Sequence, residues 1–79
     1  METELIESKI KHILADVFSV EEKEVVPSAE LIKDLGADSL DQMEAIMEIE
    51  KEFDITIADK DTDGFKTVQD VLTYIKERA

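Results

Sequence analysis

Apolar side chains recur at helical spacing in three stretches of the chain. The first stretch predicts an amphipathic helix near the N-terminus, with apolar positions at Leu5, Ile6, Ile10, Ile13, Leu14, Val17 and Phe18. The last stretch predicts a helix near the C-terminus, with Val68, Val71, Leu72 and Ile75 facing inward. Thr67 and Asp70 are typical of the N-cap of that helix, and Lys76 and Arg78 suit its last turn, where cations face the negative end of the helix dipole.

The middle stretch predicts a helix that begins at Asp38 or Ser39 and runs to about Phe53, with Ser39 and Gln42 as its capping box. We expect a buried stripe formed by Ala45, Ile46, Ile49 and Phe53. An acidic stripe lies opposite and comprises Asp41, Glu44, Glu48 and Glu52. Between the two stripes runs a second apolar edge, which comprises Leu40, Met43 and Met47. Such an edge suits a partner-binding face, because methionines adapt to several partners, or it is covered by the bundle itself.

The segments between these helices lack the helical spacing. Residues 19–38 form a long connection with a turn around residues 29–35, and Val25, Leu31 and Leu35 are expected to tuck it onto the core. The β-branched residues 55–57 end the middle helix, and residues 59–64 are acidic and turn-like. The predicted fold is therefore all-α: a small four-helix bundle of three main helices and one short one, with a long loop between helices one and two. We expect residues 1–79 to form a single domain.

The charge balance narrows the range of partners. Nine basic residues stand against twenty-one acidic ones, for a net charge of −12. This balance argues against nucleic acid and against an anionic membrane surface, and it favours partners with basic surfaces. The chain contains no cysteine, which excludes disulfides and thiolate chemistry, and no apolar run long enough to insert into a membrane. The acidic N-terminus is unlike a signal peptide, so we expect a cytoplasmic protein, acting as a monomer.

Ser39 is the candidate functional residue, and its position alone allows two roles. Serine is a favoured N-cap, and in that role it would only start the helix. The same position offers unpaired backbone N–H groups and the positive end of the helix dipole, which suit a phosphate on the hydroxyl. Gly36 and Ala37 just before it add little side-chain bulk, so an enzyme could approach the hydroxyl closely.

The residues around Ser39 are more specific than its position. The run DLGADSLD at residues 34–41 closely resembles the attachment motif of acyl carrier proteins, the stand-alone carriers of bacterial-type fatty acid synthesis. The resemblance continues along the chain through Glu44, Met47, Glu50, Glu52, Phe53, Thr67, Val68 and Gln69. It implies that a phosphopantetheinyl transferase attaches 4′-phosphopantetheine from coenzyme A to Ser39. The thiol at the end of this arm would then carry acyl groups as thioesters for fatty acid synthesis enzymes.

The resemblance also implies further sites. Partner enzymes would dock through basic patches onto Asp38, Leu40, Asp41, Met43, Glu44, Met47 and Glu48. The acyl chain would be sheltered between helices in a space that Ile46, Ile49, Ile57, Phe65 and Leu72 line. Ala45, Met43, Glu48, Lys51 and Ala58 depart from the usual pattern of the family, which leaves open a specialised carrier for another acyl pathway.

Two other functions compete with the carrier hypothesis. Asp59, Asp61 and Asp63, followed by Gly64 and Asp70, match the spacing of a calcium loop over residues 59–70, although Lys66 and the short Asp70 carboxylate fit that motif poorly. An enzyme is the weakest fit, because His12 is the sole histidine and lies in the first helix with no partner at a motif-like spacing. We therefore expect no catalytic residue and no specific metal site.

Overall fold

The computed structural model describes residues 2–78. Its α-helices, in chain order, are α1 (Thr3–Phe18), α2 (Ser39–Phe53), α3 (Asp59–Thr62) and α4 (Val68–Arg78), and a short 3-10 helix covers Glu22–Glu24. Within residues 2–78 no strand forms, and the sole β-type pairing is an isolated antiparallel bridge between Glu30 and Thr67. The predicted all-α bundle of three main helices and one short one is confirmed.

The core lies where α1 packs against α2 and α4. The largest fully buried side chains come from all three helices and are Ile6, Ile10, Leu14, Ile49 and Ile75. Burying one such side chain stabilises the fold by about 1.5–3 kcal/mol, so these contacts dominate the stability of a small domain. The inward residues predicted for α4 are all buried.

The predicted apolar stripe of α1 is narrower than expected. Leu5 remains 47% exposed, while Ile13 and Val17 are only partly buried against the core. Leu5 precedes Ile6 by one residue and so points about 100° away from it, toward the edge of the buried face.

The long connection between α1 and α2 is fastened to the start of α4. Val25, Leu31 and Leu35 are buried as predicted. The Leu31 backbone N–H donates to the Lys66 carbonyl at 2.9 Å, and the Val68 N–H donates to the Ala29 carbonyl at 3.0 Å. These backbone bonds hold the loop in one position and carry it to the N-terminus of α2.

The acidic segment after α2 was predicted to be a turn, and this is wrong for its first part, which forms the one-turn helix α3. The Thr62 hydroxyl donates to the Asp59 carbonyl at 2.7 Å, and the Tyr74 hydroxyl of α4 donates to the Asp61 carboxylate at 2.8 Å. None of the α3 residues is buried, so no apolar periodicity marks the helix in the sequence.

Candidate functional site

The N-terminus of α2 is capped by Asp38, one residue before Ser39. The Asp41 N–H donates to the Asp38 carboxylate at 2.8 Å, and the Asp38 N–H donates to the Asp41 carboxylate at 3.3 Å. The capping box predicted for Ser39 and Gln42 is therefore wrong. Asp38 has the extended backbone of an N-cap, and its negative charge faces the positive end of the helix dipole, which a serine hydroxyl does not complement.

Ser39 is consequently the first residue of the helix, and its side chain does not cap the helix. It is exposed, and in the described part of the chain its hydroxyl makes no side-chain hydrogen bond. The loop before it turns through Gly36, whose positive φ of 71° is costly for any residue with a side chain. Ala37 is buried by this turn, so the chain emerges at Ser39 with the hydroxyl facing outward.

The second apolar edge of α2 lies uncovered beside Ser39. Leu40, Met43 and Met47 are 63%, 60% and 53% exposed, so the bundle does not bury them itself. Exposed large apolar side chains on one helix face are typical of a protein-binding surface. Docking at this edge stays a prediction.

The acids of the acidic stripe of α2 differ in their interactions. Asp41 belongs to the capping box, Glu48 pairs with Lys51 at 3.8 Å, and Glu52 pairs with Lys9 of α1. Glu44 is exposed and, among the described residues, takes part in no ion pair. Among the described residues, the acids of the predicted docking face without a lysine or arginine partner are therefore Asp38, Asp41 and Glu44.

A groove leads from Ser39 along α2 and is closed on its other side by α3. Its volume is about 330 Å³, and it is lined by Ser39, Gln42, Met43, Ile46, Met47, Glu50, Ile57, Asp59 and Thr62. The Glu50 carboxylate accepts a hydrogen bond of 2.8 Å from the Ile57 N–H, which ties the segment after α2 back to this groove. The walls combine apolar side chains with hydrogen-bonding ones.

The structure does not bring the five predicted acyl-pocket residues into one space. Ile46, Ile49 and Phe65 line an apolar crevice of about 10 Å³ inside the bundle, which is at the lower limit of about 10–15 Å³ for one water molecule. Ile57 lines the Ser39 groove, and Leu72 is buried in the core away from both spaces. Ile46 lines both the crevice and the groove, so within the predicted buried stripe it is only partly buried.

The acidic side chains of the suggested calcium loop do not converge. Asp61 accepts the Tyr74 hydroxyl, and Asp70 accepts the Lys66 and Thr67 N–H groups at 3.0 Å as part of the α4 cap. Among residues 2–78, no group of three or more carboxylate or imidazole side chains is placed to hold one metal ion. The weak candidates Asp59 and Asp63 are exposed on α3 and just after it.

His12 lies on the surface of α1 and faces Glu22, with 3.4 Å between Nδ1 and the carboxylate. It is not brought to Ser39, so the geometry offers no nucleophile and base pair. In the described part of the chain, no helix has the length and apolar content needed for a membrane span.

Sequence reasoning missed three groove residues. Gln42 was interpreted as part of a cap, and Glu50 and Thr62 received no role at the site. Ser39, Gln42, Ile46 and Glu50 are spaced three or four residues apart, which places them on one face of α2. That spacing was available in the sequence, whereas the position of Thr62 depends on how α3 packs.

Comparison with known proteins defines the class of protein to which this site belongs. Residues 8–75 match the family described as the phosphopantetheine attachment site. The 4′-phosphopantetheine group suits the geometry, since an exposed serine hydroxyl with no competing bond opens onto a groove.

The relatives narrow the class further. Proteins named acyl carrier protein from Karelsulcia muelleri, Clostridium perfringens and Thermosynechococcus vestitus are 54%, 52% and 47% identical, over 89%, 87% and 98% of this chain. The matches cover 84%, 91% and 94% of those proteins. A solved structure of a putative acyl carrier protein from Mycobacterium tuberculosis has a TM-score of 0.86 at 33% identity, covering 91% of this chain and 96% of that one.

The chain belongs to the acyl carrier protein family. Its relatives are carriers rather than catalysts, and the cofactor of the family is phosphopantetheine.

Proposed function

We propose that Ser39 is the attachment residue and that the chain carries acyl groups on its arm to the enzymes of fatty acid synthesis. The observation that carries this proposal is the free Ser39 hydroxyl at the first position of α2. Because Asp38 supplies the cap, modifying Ser39 removes no hydrogen bond from the helix start.

The chemistry is a displacement at phosphorus. The Ser39 oxygen bonds to the phosphorus that bears pantetheine, the bond from that phosphorus to the adenosine bisphosphate part of coenzyme A breaks, and the hydroxyl proton passes to a base of the transferase. The arm supplies a terminal thiol for thioesters, which the cysteine-free chain itself does not have. The groove lined by Gln42, Glu50 and Thr62 is where this chain's side chains would hold the arm.

Partner enzymes are proposed to approach the same end of α2. Leu40, Met43 and Met47 would contact apolar side chains of the enzyme, and Asp38 and Glu44 would face its basic residues. The net charge of −12 would speed this encounter through long-range attraction. Delivery to fatty acid synthesis is supported by the DLGADSLD run at residues 34–41 and by relatives named acyl carrier protein.

Intact mass spectrometry tests the attachment. The apo protein is incubated with coenzyme A and a phosphopantetheinyl transferase, and we expect a mass increase of one phosphopantetheine. Ser39→Ala should remain unmodified, whereas Ser28→Ala, which removes another exposed serine, should be modified like the wild type. An unchanged wild-type mass with a transferase that modifies a known carrier would refute the proposal.

A further inference from the structure

Two lysines without partners lie together on the surface of this acidic chain. Of the nine cations, Lys9, Lys23, Lys51, Lys76 and Arg78 take part in ion pairs. The other four, Lys11, Lys33, Lys60 and Lys66, form none with the residues that the structure describes, although acids outnumber bases by more than two to one. Lys33 and Lys66 both line one groove of about 510 Å³.

The backbone holds these two lysines side by side. Leu31 and Lys66 are joined by the 2.9 Å bond from the Leu31 N–H to the Lys66 carbonyl, next to the bridge between Glu30 and Thr67. The turn that carries Lys33 is closed by the Glu30 N–H, which donates to the Asp34 carboxylate at 2.8 Å. The backbone that carries the two lysines is therefore fixed before any partner binds, which lowers the backbone entropy lost on binding.

The groove between the lysines differs from the rest of the surface in two ways. Glu30 and Asp63 also line it, so its four charges cancel, whereas the chain as a whole is strongly negative. It also contains Ile32, which at 66% is the most exposed of the large apolar side chains described. A neutral patch with an exposed apolar centre is typical of a contact between proteins, and a small anion such as phosphate would leave Ile32 uncovered.

This groove borders the groove at Ser39. Gln42 and Thr62 line both of them. An enzyme that reaches the Ser39 hydroxyl must therefore lie close to Lys33 and Lys66 on one side and to Met43 and Met47 on the other.

We propose that Ile32, Lys33 and Lys66 form a second contact surface for the enzyme that acts at Ser39, and that they receive a carboxylate and an apolar side chain of that enzyme. The proposal rests on the proposed function. Because Lys33 and Lys66 offset Glu30 and Asp63, the groove does not attract the basic patch of an enzyme as the acids of α2 do, and the two lysines are available to an enzyme carboxylate. This change from an acidic to a neutral surface across Ser39 favours one orientation of the enzyme over the opposite one.

Kinetics of arm attachment test this surface, with a phosphopantetheinyl transferase and coenzyme A as the probe. The double variant Lys33→Glu and Lys66→Glu changes the net charge from −12 to −16, and so does the control variant Lys11→Glu and Lys23→Glu, whose residues line neither groove. We expect kcat/KM to fall about tenfold in the groove variant, mainly through KM. The control should be unchanged or faster, because added acids attract a basic enzyme.

The apolar centre is tested in the same assay. Ile32→Ser should lower kcat/KM several-fold, whereas Leu5→Ser, which removes an exposed leucine from α1, should not change it. Equal rates for the groove and control variants would overturn the proposal while leaving Ser39 as the attachment site. A wild-type protein that is never modified refutes the proposed function instead. In that case the second contact surface is tested by NMR, from the amide chemical shifts of Lys33 and Lys66 when the transferase is added. Unchanged shifts would overturn the second contact surface.

Discussion

At the scale of single residues, the site depends on the different roles of Asp38, which caps α2, and Ser39, whose hydroxyl remains free. Either residue type is a good N-cap, and both precede a predicted helix, so sequence preference alone does not choose between them. The choice is made by the turn at Gly36 and the burial of Ala37, which fix the backbone direction at Asp38. As a result the carboxylate stabilises the helix and the hydroxyl remains free.

These roles predict different stabilities for two alanine variants of the apo protein. Asp38→Ala should lower the free energy of unfolding by about 1 kcal/mol, because it leaves the Asp41 N–H of the first turn without its side-chain acceptor. Ser39→Ala should change it by less than about 0.5 kcal/mol, as is usual for exposed side chains with no specific contact. Urea denaturation measures both, and a larger loss in Ser39→Ala than in Asp38→Ala would show that serine is the cap after all.

At the scale of elements, the apolar spacing and the capping residues predicted the main helices but not α3. The cap of α4 was predicted correctly from Thr67 and Asp70: the Asp70 N–H donates to the Thr67 hydroxyl at 3.2 Å, and Asp70 in turn accepts the Thr67 N–H. α3 has no buried face of its own and is tied to α4 by Tyr74. Its helical state depends on that distant partner, which no window of local sequence contains.

The α4 cap predicts how stability depends on pH. The hydrogen bond from the Thr67 N–H, with that from Lys66, holds the pKa of Asp70 below its ordinary value of 3.8, although partial burial acts in the opposite direction. The ionised carboxylate therefore stabilises the fold above about pH 3.8, and this contribution is lost as the pH falls through the lower pKa of the folded state.

Asp70→Asn keeps an acceptor at this position but removes the charge. We expect it to lower the free energy of unfolding at neutral pH by about 0.3–1 kcal/mol, and the difference from the wild type should vanish at the acid end of the titration. Glu44→Gln serves as the control, since Glu44 is exposed in the middle of α2, away from both helix ends. Thermal unfolding followed by circular dichroism from neutral to acid pH checks this, and parallel curves for Asp70→Asn and the wild type would contradict it.

At the scale of the whole molecule, the charge excess acts on the fold as well as on partners. Twelve uncompensated negative charges on a chain of 79 residues repel one another in the compact state. Most of the acids are exposed, so dissolved cations can screen this repulsion.

Millimolar magnesium or calcium should therefore raise the Tm of the apo protein, with little preference between the two ions. Thermal scans with each chloride salt at equal ionic strength separate divalent binding from simple screening. A sharp transition that only calcium produces, and that Asp61→Ala abolishes, would instead support the calcium-loop hypothesis for residues 59–70.

The sequence by itself determined the features that depend on residues close together in the chain. The spacing of apolar residues identified the three main helices and most of their buried faces, because each face recurs within a few residues. The run of residues 34–41 was enough to point to Ser39 and its cofactor, because the attachment motif is contiguous.

The tertiary structure decided what depends on residues distant in the chain. It formed α3 against Tyr74 and placed Thr62 across the groove from α2. It also paired the loop of Lys33 with the segment of Lys66 through backbone hydrogen bonds. These features share one physical cause: their free energy comes from contacts that exist only after α1, α2 and α4 have packed, so neither propensity nor periodicity records them.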